Sequence, residues 1–128
     1  MIQVDYLDLD DLMAAAEAAL GRPPEVRDWG LLEASLGRPR ATVFGTDAYP
    51  DIHTKAAALM HSLGTNHGLV DGNKRLAWVA VRLFYGMNGW DVTASDDEKF
   101  DLTMAVASGR WRDVTKLAEQ LRLMAHVV

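Results

Sequence analysis

The spacing of apolar residues constrains this chain most. They recur three and four positions apart, the period of one helix face, and the runs are broken by glycine, proline or asparagine. Leu9, Leu12, Met13, Ala16 and Leu20 share one side of a first helix over Leu9 to Leu20, with Asp8 as an N-cap that accepts backbone N–H bonds. Gly21-Arg22-Pro23-Pro24 stops it, because proline cannot continue the hydrogen-bond ladder. A short second helix fits Trp29 to Leu36, capped by Asp28. Gly37 to Pro50 reads as loop, with room for a small hairpin around Thr42, Val43 and Phe44. A third helix fits Ile52 to about Gly64, on the period of Ala56, Leu59, Met60 and Leu63. In a fourth, Lys74 to Met87, an apolar stripe of Leu76, Val79, Ala80, Leu83, Phe84 and Met87 is widened by Ala77 and Val81. That breadth marks it as the central, most buried helix. Asn88-Gly89 gives a left-handed stop. Ser95-Asp96-Asp97-Glu98 is a capping box that opens a fifth helix to about Ala107, and a sixth spans about Val114 to Ala125. The expected fold is all-α: one compact domain over residues 1–128, a bundle of about six helices with minimal strand.

Composition narrows the function classes. A chain of 128 residues is long enough to bury a core of its own. Its net charge of −5 gives neither nucleic acid nor an anionic membrane a surface to bind. There is no cysteine, so no disulfide or thiolate metal site is expected. Met1-Ile2-Gln3-Val4-Asp5 lacks the cationic region and apolar run of a signal peptide, and no apolar stretch is long enough to span a bilayer. The expectation is a cytoplasmic protein with no direct nucleic-acid or membrane partner.

Chemistry concentrates in the nine residues His67-Gly68-Leu69-Val70-Asp71-Gly72-Asn73-Lys74-Arg75, just before the fourth helix. N–H groups at a helix start have no intrahelical acceptor, and the helix dipole adds positive character there, so an anion meets donors already aimed. Gly72 lets the backbone come close to such a ligand. Lys74 and Arg75 lie in the first turn, where cations are unfavourable for the helix itself, a conflict typical of functional sites. An arginine can hold phosphate oxygens in bidentate fashion, and a lysine adds a mobile point charge. Asp71 can give one oxygen to Mg²⁺, and His67 can accept a hydroxyl proton. These are the parts for phosphoryl or nucleotidyl transfer. Residue types alone fit a solvated turn equally well.

The nine-residue stretch resembles the signature of the Fic/Doc superfamily, His-x-Phe-x-Asp/Glu-Gly/Ala-Asn-Gly/Lys-Arg. Its Asp-Gly-Asn-Lys-Arg ending is more similar to the Doc (death-on-curing) branch than to the Fic branch. Chain length, the motif's place between two helices, and Leu36-Gly37-Arg38-Pro39-Arg40 after the second helix are also similar to that branch. The resemblance implies catalytic roles for His67, which activates the target hydroxyl, and for Asp71, which serves the Mg²⁺ site. It implies that Gly72, Asn73, Lys74 and Arg75 bind the phosphates of ATP. Lys74 stands where nucleotidyl-transferring Fic enzymes have glycine, and Trp78 where they have a second arginine, so the resemblance implies transfer of the γ-phosphate rather than of AMP. It further implies a toxin of a bacterial toxin–antitoxin pair, with elongation factor Tu as target. A small prevent-host-death-like antitoxin would dock its C-terminal segment in a groove of the toxin. A Fic-type AMP transferase and a degenerate member that only binds its antitoxin are the alternatives.

Two positions depart from the pattern. Gly68 replaces a residue that is commonly proline or larger, and Leu69 replaces the usual phenylalanine, at a cost on the order of 1 kcal/mol in anchoring area. A less preorganised loop is expected, with no reacting group lost. Elsewhere, His53 and His61 are eight apart, which does not suit a paired zinc site, and the chain has no His-Asp dipeptide. Arg38 and Arg40 read as solvated loop charges, Trp29, Trp78, Trp90 and Trp111 as packing residues, Glu98 and Asp101 as capping and solvating groups, and His126-Val127-Val128 as a frayed end.

Overall fold

Asp8, Asp28, Asp51 and Ser95 each have extended backbone and turn a side-chain oxygen onto free N–H groups at the start of a helix. In the computed structural model, which describes residues 3–128, these caps open α1 (Leu9–Leu20), α2 (Trp29–Gly37), α3 (Ile52–Asn66) and α5 (Asp96–Ala107). The other two helices, α4 (Asn73–Met87) and α6 (Thr115–Met124), begin without a side-chain cap. Strands are short: β1 (Thr42–Val43) pairs with β2 (Thr46–Asp47), and β3 (Trp90–Val92) with β4 (Ala125–Val127), both antiparallel. The expected helical architecture is borne out, and the small hairpin lies where the sequence left room for it.

All six helices contribute to one apolar cluster. Leu12, Leu32, Leu59, Leu76, Val106 and Leu117 represent the six in turn, and each is almost fully buried. The central helix is α3, which corrects the expectation for α4. Ten residues of α3 are buried against seven of α4, and both helices have 15 residues. The physical reason is size. Ala56, Ala57 and Ala58 let neighbours close in, and a Cβ on Gly64 would lie 2.9 Å from Cγ1 of Val106 in α5. Gly64 therefore serves packing and does not end the helix, which continues to Asn66.

Three further expectations are corrected. Arg38 is not a solvated charge. It lies in a single 3₁₀ turn, Arg38–Arg40, and donates to the Tyr49 hydroxyl (3.0 Å), His61 Nδ1 (2.7 Å) and Ser62 Oγ (3.0 Å). Arg40 is exposed but lies over the Tyr6 ring. The chain end is not frayed: Asp91 pairs with His126 and Trp90 with Val127, so the last strand closes beside the end of α4. Of the four tryptophans, Trp78, Trp90 and Trp111 pack against the core, whereas Trp29 is 52% exposed at the start of α2.

His53 and His61 serve different neighbours. His53 Nδ1 is 2.9 Å from the hydroxyl of buried Tyr85, while His61 Nδ1 accepts from Arg38. The hairpin β1–β2 is fastened at its root by Lys55, whose Nζ is buried yet reaches Asp47 Oδ2 (3.1 Å) and the Pro39 carbonyl (3.3 Å).

Candidate functional site

The α3–α4 connection is shaped by two left-handed residues and one buried leucine. His67 takes φ 53° and ends α3, and Gly72 takes φ 90° and starts α4. Between them Leu69 drops into the core, 1% exposed. Asn73 turns its amide back over this leucine. Its Oδ1 accepts from the Leu69 N–H and its Nδ2 donates to the Leu69 carbonyl, both at 3.0 Å. The loop is thus closed on itself by one side chain.

Gly72 is required twice over. Its φ lies in the region that suits glycine, and a Cβ there would come within 2.3 Å of Leu20 Cδ2. The end of α1 rests directly on the bare Cα.

His67, Asp71, Gly72, Asn73, Lys74 and Arg75, together with Val70, line one cleft of about 330 Å³. All six residues expected to form the site are in it. His67, Asp71, Lys74 and Arg75 are exposed, while Asn73 is buried and faces inward. Asn73 therefore shapes the cleft with its side chain and leaves its backbone N–H at the helix start. α4 has no side-chain cap and no acidic residue in its first turn, whereas α1 has Asp10 and Asp11 there and α5 has Asp96, Asp97 and Glu98. Free N–H groups and two cations converge on the cleft, which is the arrangement that holds phosphate oxygens.

Sequence reading missed the segment that braces the motif loop. Residues 20–28 run antiparallel to the motif loop and touch it along their length. The Glu25 carbonyl accepts from the Val70 N–H (2.9 Å), and Val26 forms a β-bridge with Leu69. The N–H groups of Arg27 and Asp28 both donate to the Gly68 carbonyl, at 2.8 and 3.0 Å. The Arg27 guanidinium donates to the carbonyls of His67 (2.8 Å) and Asn66 (3.3 Å). Arg22 reaches Asp71, with Nη2 at 3.3 Å from Oδ2. Gly21-Arg22-Pro23-Pro24 reads locally as a helix stop only, and no signal within it points to a loop some 49 positions away.

This bracing corrects the expectation of a loosened loop. A Cβ on Gly68 would lie 2.5 Å from Cδ2 of Leu32, so the glycine makes room for a core side chain of α2. The loop is fixed by its bonds to residues 25–28 and by Leu69 in the core.

A bound magnesium ion fits the residues present. Asp71 offers one exposed carboxylate at the edge of the cleft, its bond to Arg22 the contact an ion would displace. Mg²⁺ commonly takes one or two carboxylates and completes its shell with water and phosphate oxygens. Among the described residues no group of three or more His, Cys, Asp or Glu is arranged to hold a metal ion.

A second groove of about 520 Å³ adjoins the cleft and shares Lys74 and Arg75 with it. Trp78, Val79 and Phe100 give it an apolar floor between α4 and α5, and Lys99 adds a third cation with Nζ 5.8 Å from the Trp78 ring centre.

Comparison with known proteins bears on the same residues. The Fic/DOC family model matches residues 6–85, which include the cleft and the segment that braces its loop. Toxin Doc of Mycolicibacterium smegmatis is 45% identical over 118 residues, 91% of this chain and 91% of that protein.

Proposed function

This chain belongs to the Fic/DOC family, and from that membership we propose that it is a Doc-type toxin acting as a protein kinase on a translation factor. The observation that carries the chemistry is the convergence of His67, Asp71, Lys74 and Arg75 on one cleft at the uncapped start of α4. ATP would lay its phosphates on the first-turn N–H groups of α4, with Arg75 and Lys74 over the oxygens. A magnesium ion held by Asp71 would neutralise phosphate charge.

In this reading His67 is the group that takes the proton. Its backbone is fixed by the Arg27 bond to its carbonyl, while its exposed side chain is on the cleft lining. In the proposed reaction a Ser or Thr hydroxyl oxygen forms the new bond to the γ-phosphorus. The bond from that phosphorus to the β–γ bridging oxygen breaks and ADP leaves. The hydroxyl proton passes to His67. Lys74 occupies the position that is glycine in nucleotidyl-transferring relatives, and it favours this outcome over AMP transfer.

The groove beside the cleft is the surface we assign to an antitoxin. An apolar floor with Lys74, Arg75 and Lys99 at its edge suits an amphipathic acidic segment. Such a segment would cover the cations that phosphates need, so binding and inhibition would be one event.

The test uses purified protein, Mg²⁺ and elongation factor Tu, with ATP labelled at the γ- or the α-phosphate. The kinase reading expects γ-label alone on the factor, abolished by His67→Ala and by Asp71→Ala. Label from the α-position would favour AMP transfer. Growth arrest that persists with His67→Ala would overturn the catalytic account.

A further inference from the structure

Arg22 lies outside the motif, on the turn after α1, yet its guanidinium is paired with Asp71 at 3.3 Å. Both side chains are largely exposed, 50% and 77%, and an ion pair in that setting adds little to stability. Its place is nevertheless fixed. Leu20 sits on Gly72 on one side of the turn, and Glu25 and Val26 are bonded to Val70 and Leu69 on the other. The fold thus brings a third cation to the edge of the cleft that Lys74 and Arg75 line, and rests it on the carboxylate suited to a metal.

A guanidinium and a divalent cation compete for the same carboxylate oxygens. Once the metal neutralises Asp71, the guanidinium loses its partner and is drawn to the nearest anion, the phosphates at the start of α4. We propose that Arg22 is a nucleotide-binding residue that occupies Asp71 in the empty cleft and passes to the phosphate oxygens when a divalent cation takes that carboxylate. Arg22 then opposes binding of the metal alone and favours binding of metal with nucleotide. The two ligands become coupled through one side chain. This inference rests on the cleft being the Mg²⁺–nucleotide site.

The experiment measures two affinities in wild type, Arg22→Ala, Arg22→Lys and Arg75→Ala, without any protein target. Mn²⁺ alone is followed by paramagnetic resonance, and Mg²⁺–ATP by calorimetry. Arg22→Ala is expected to bind Mn²⁺ several-fold more tightly and Mg²⁺–ATP about tenfold more weakly, the scale of one charge-assisted hydrogen bond. Arg22→Lys should lie between it and wild type. A side chain that merely braced the turn would not move the two affinities in opposite directions. If Arg75→Ala loses ATP binding while Arg22→Ala changes neither affinity, the role of Arg22 is overturned and the cleft stands. If wild type binds no Mg²⁺–ATP, or Arg75→Ala binds it as wild type does, the cleft reading fails and this inference fails with it.

Discussion

Removing the Asn73 amide would leave the buried N–H and C=O of Leu69 without partners. Each orphaned group costs about 1–3 kcal/mol, so Asn73→Ala is expected to lower stability by about 2–6 kcal/mol. Urea denaturation measures this, and an unchanged midpoint would contradict the role given to the side chain. The sequence placed Asn73 at the site, but the inward turn of its amide depends on where Leu69 is buried. Gly68 was misjudged for a similar reason. A glycine in place of a larger residue reads as slack until Leu32 of α2 is seen filling the space. Arg22 and Arg27 were not legible at all as site residues, because their partners lie across the fold and their own neighbours give no hint of them.

Elements were legible where their signals are local. Asp8, Asp28 and the Ser95–Glu98 box start helices as expected, and Gly21 ends α1 in the left-handed region. β4 was not legible, since three residues at a chain end acquire strand structure only by pairing with Trp90–Val92. The ranking of α3 and α4 failed because a broad apolar stripe measures hydrophobicity, whereas burial followed the small side chains Ala56 to Ala58. Deleting His126 to Val128 removes most of the β3–β4 ladder and the bond from the Val128 N–H to the Gly89 carbonyl. The expected loss is about 1–3 kcal/mol, from a few net backbone hydrogen bonds. Thermal unfolding of the truncated protein checks this. An unchanged transition would mean that the terminal strand does not hold the end of α4.

Two histidines make the stability of the whole molecule depend on pH. Burial pushes the pKa of His53 down, with Arg122 adding to the effect and Asp51 opposing it. Burial also depresses His61, helped by Arg38 and opposed by a backbone bond with Trp111 and by Asp113. Both groups take up protons more readily when unfolded, where the ordinary value is 6.5. Their contribution is therefore complete above about pH 6.5 and is lost as the pH falls below it. Melting temperatures at pH 7.5 and 5.5 should show the drop, and His61→Gln should reduce it. At this scale the helical fold and the motif were readable from apolar spacing and from nine consecutive residues. The bracing of the cleft was not, because the loop that lines it is held from across the fold by residues 25–28.

The central claim is that the α3–α4 cleft transfers a phosphoryl group and does not only bind. The intact mass of elongation factor Tu, after incubation with this protein and Mg²⁺–ATP, tests it most directly. A gain of one phosphoryl group, absent with His67→Ala, is the predicted result. An unchanged mass, or a gain of one AMP, would contradict it.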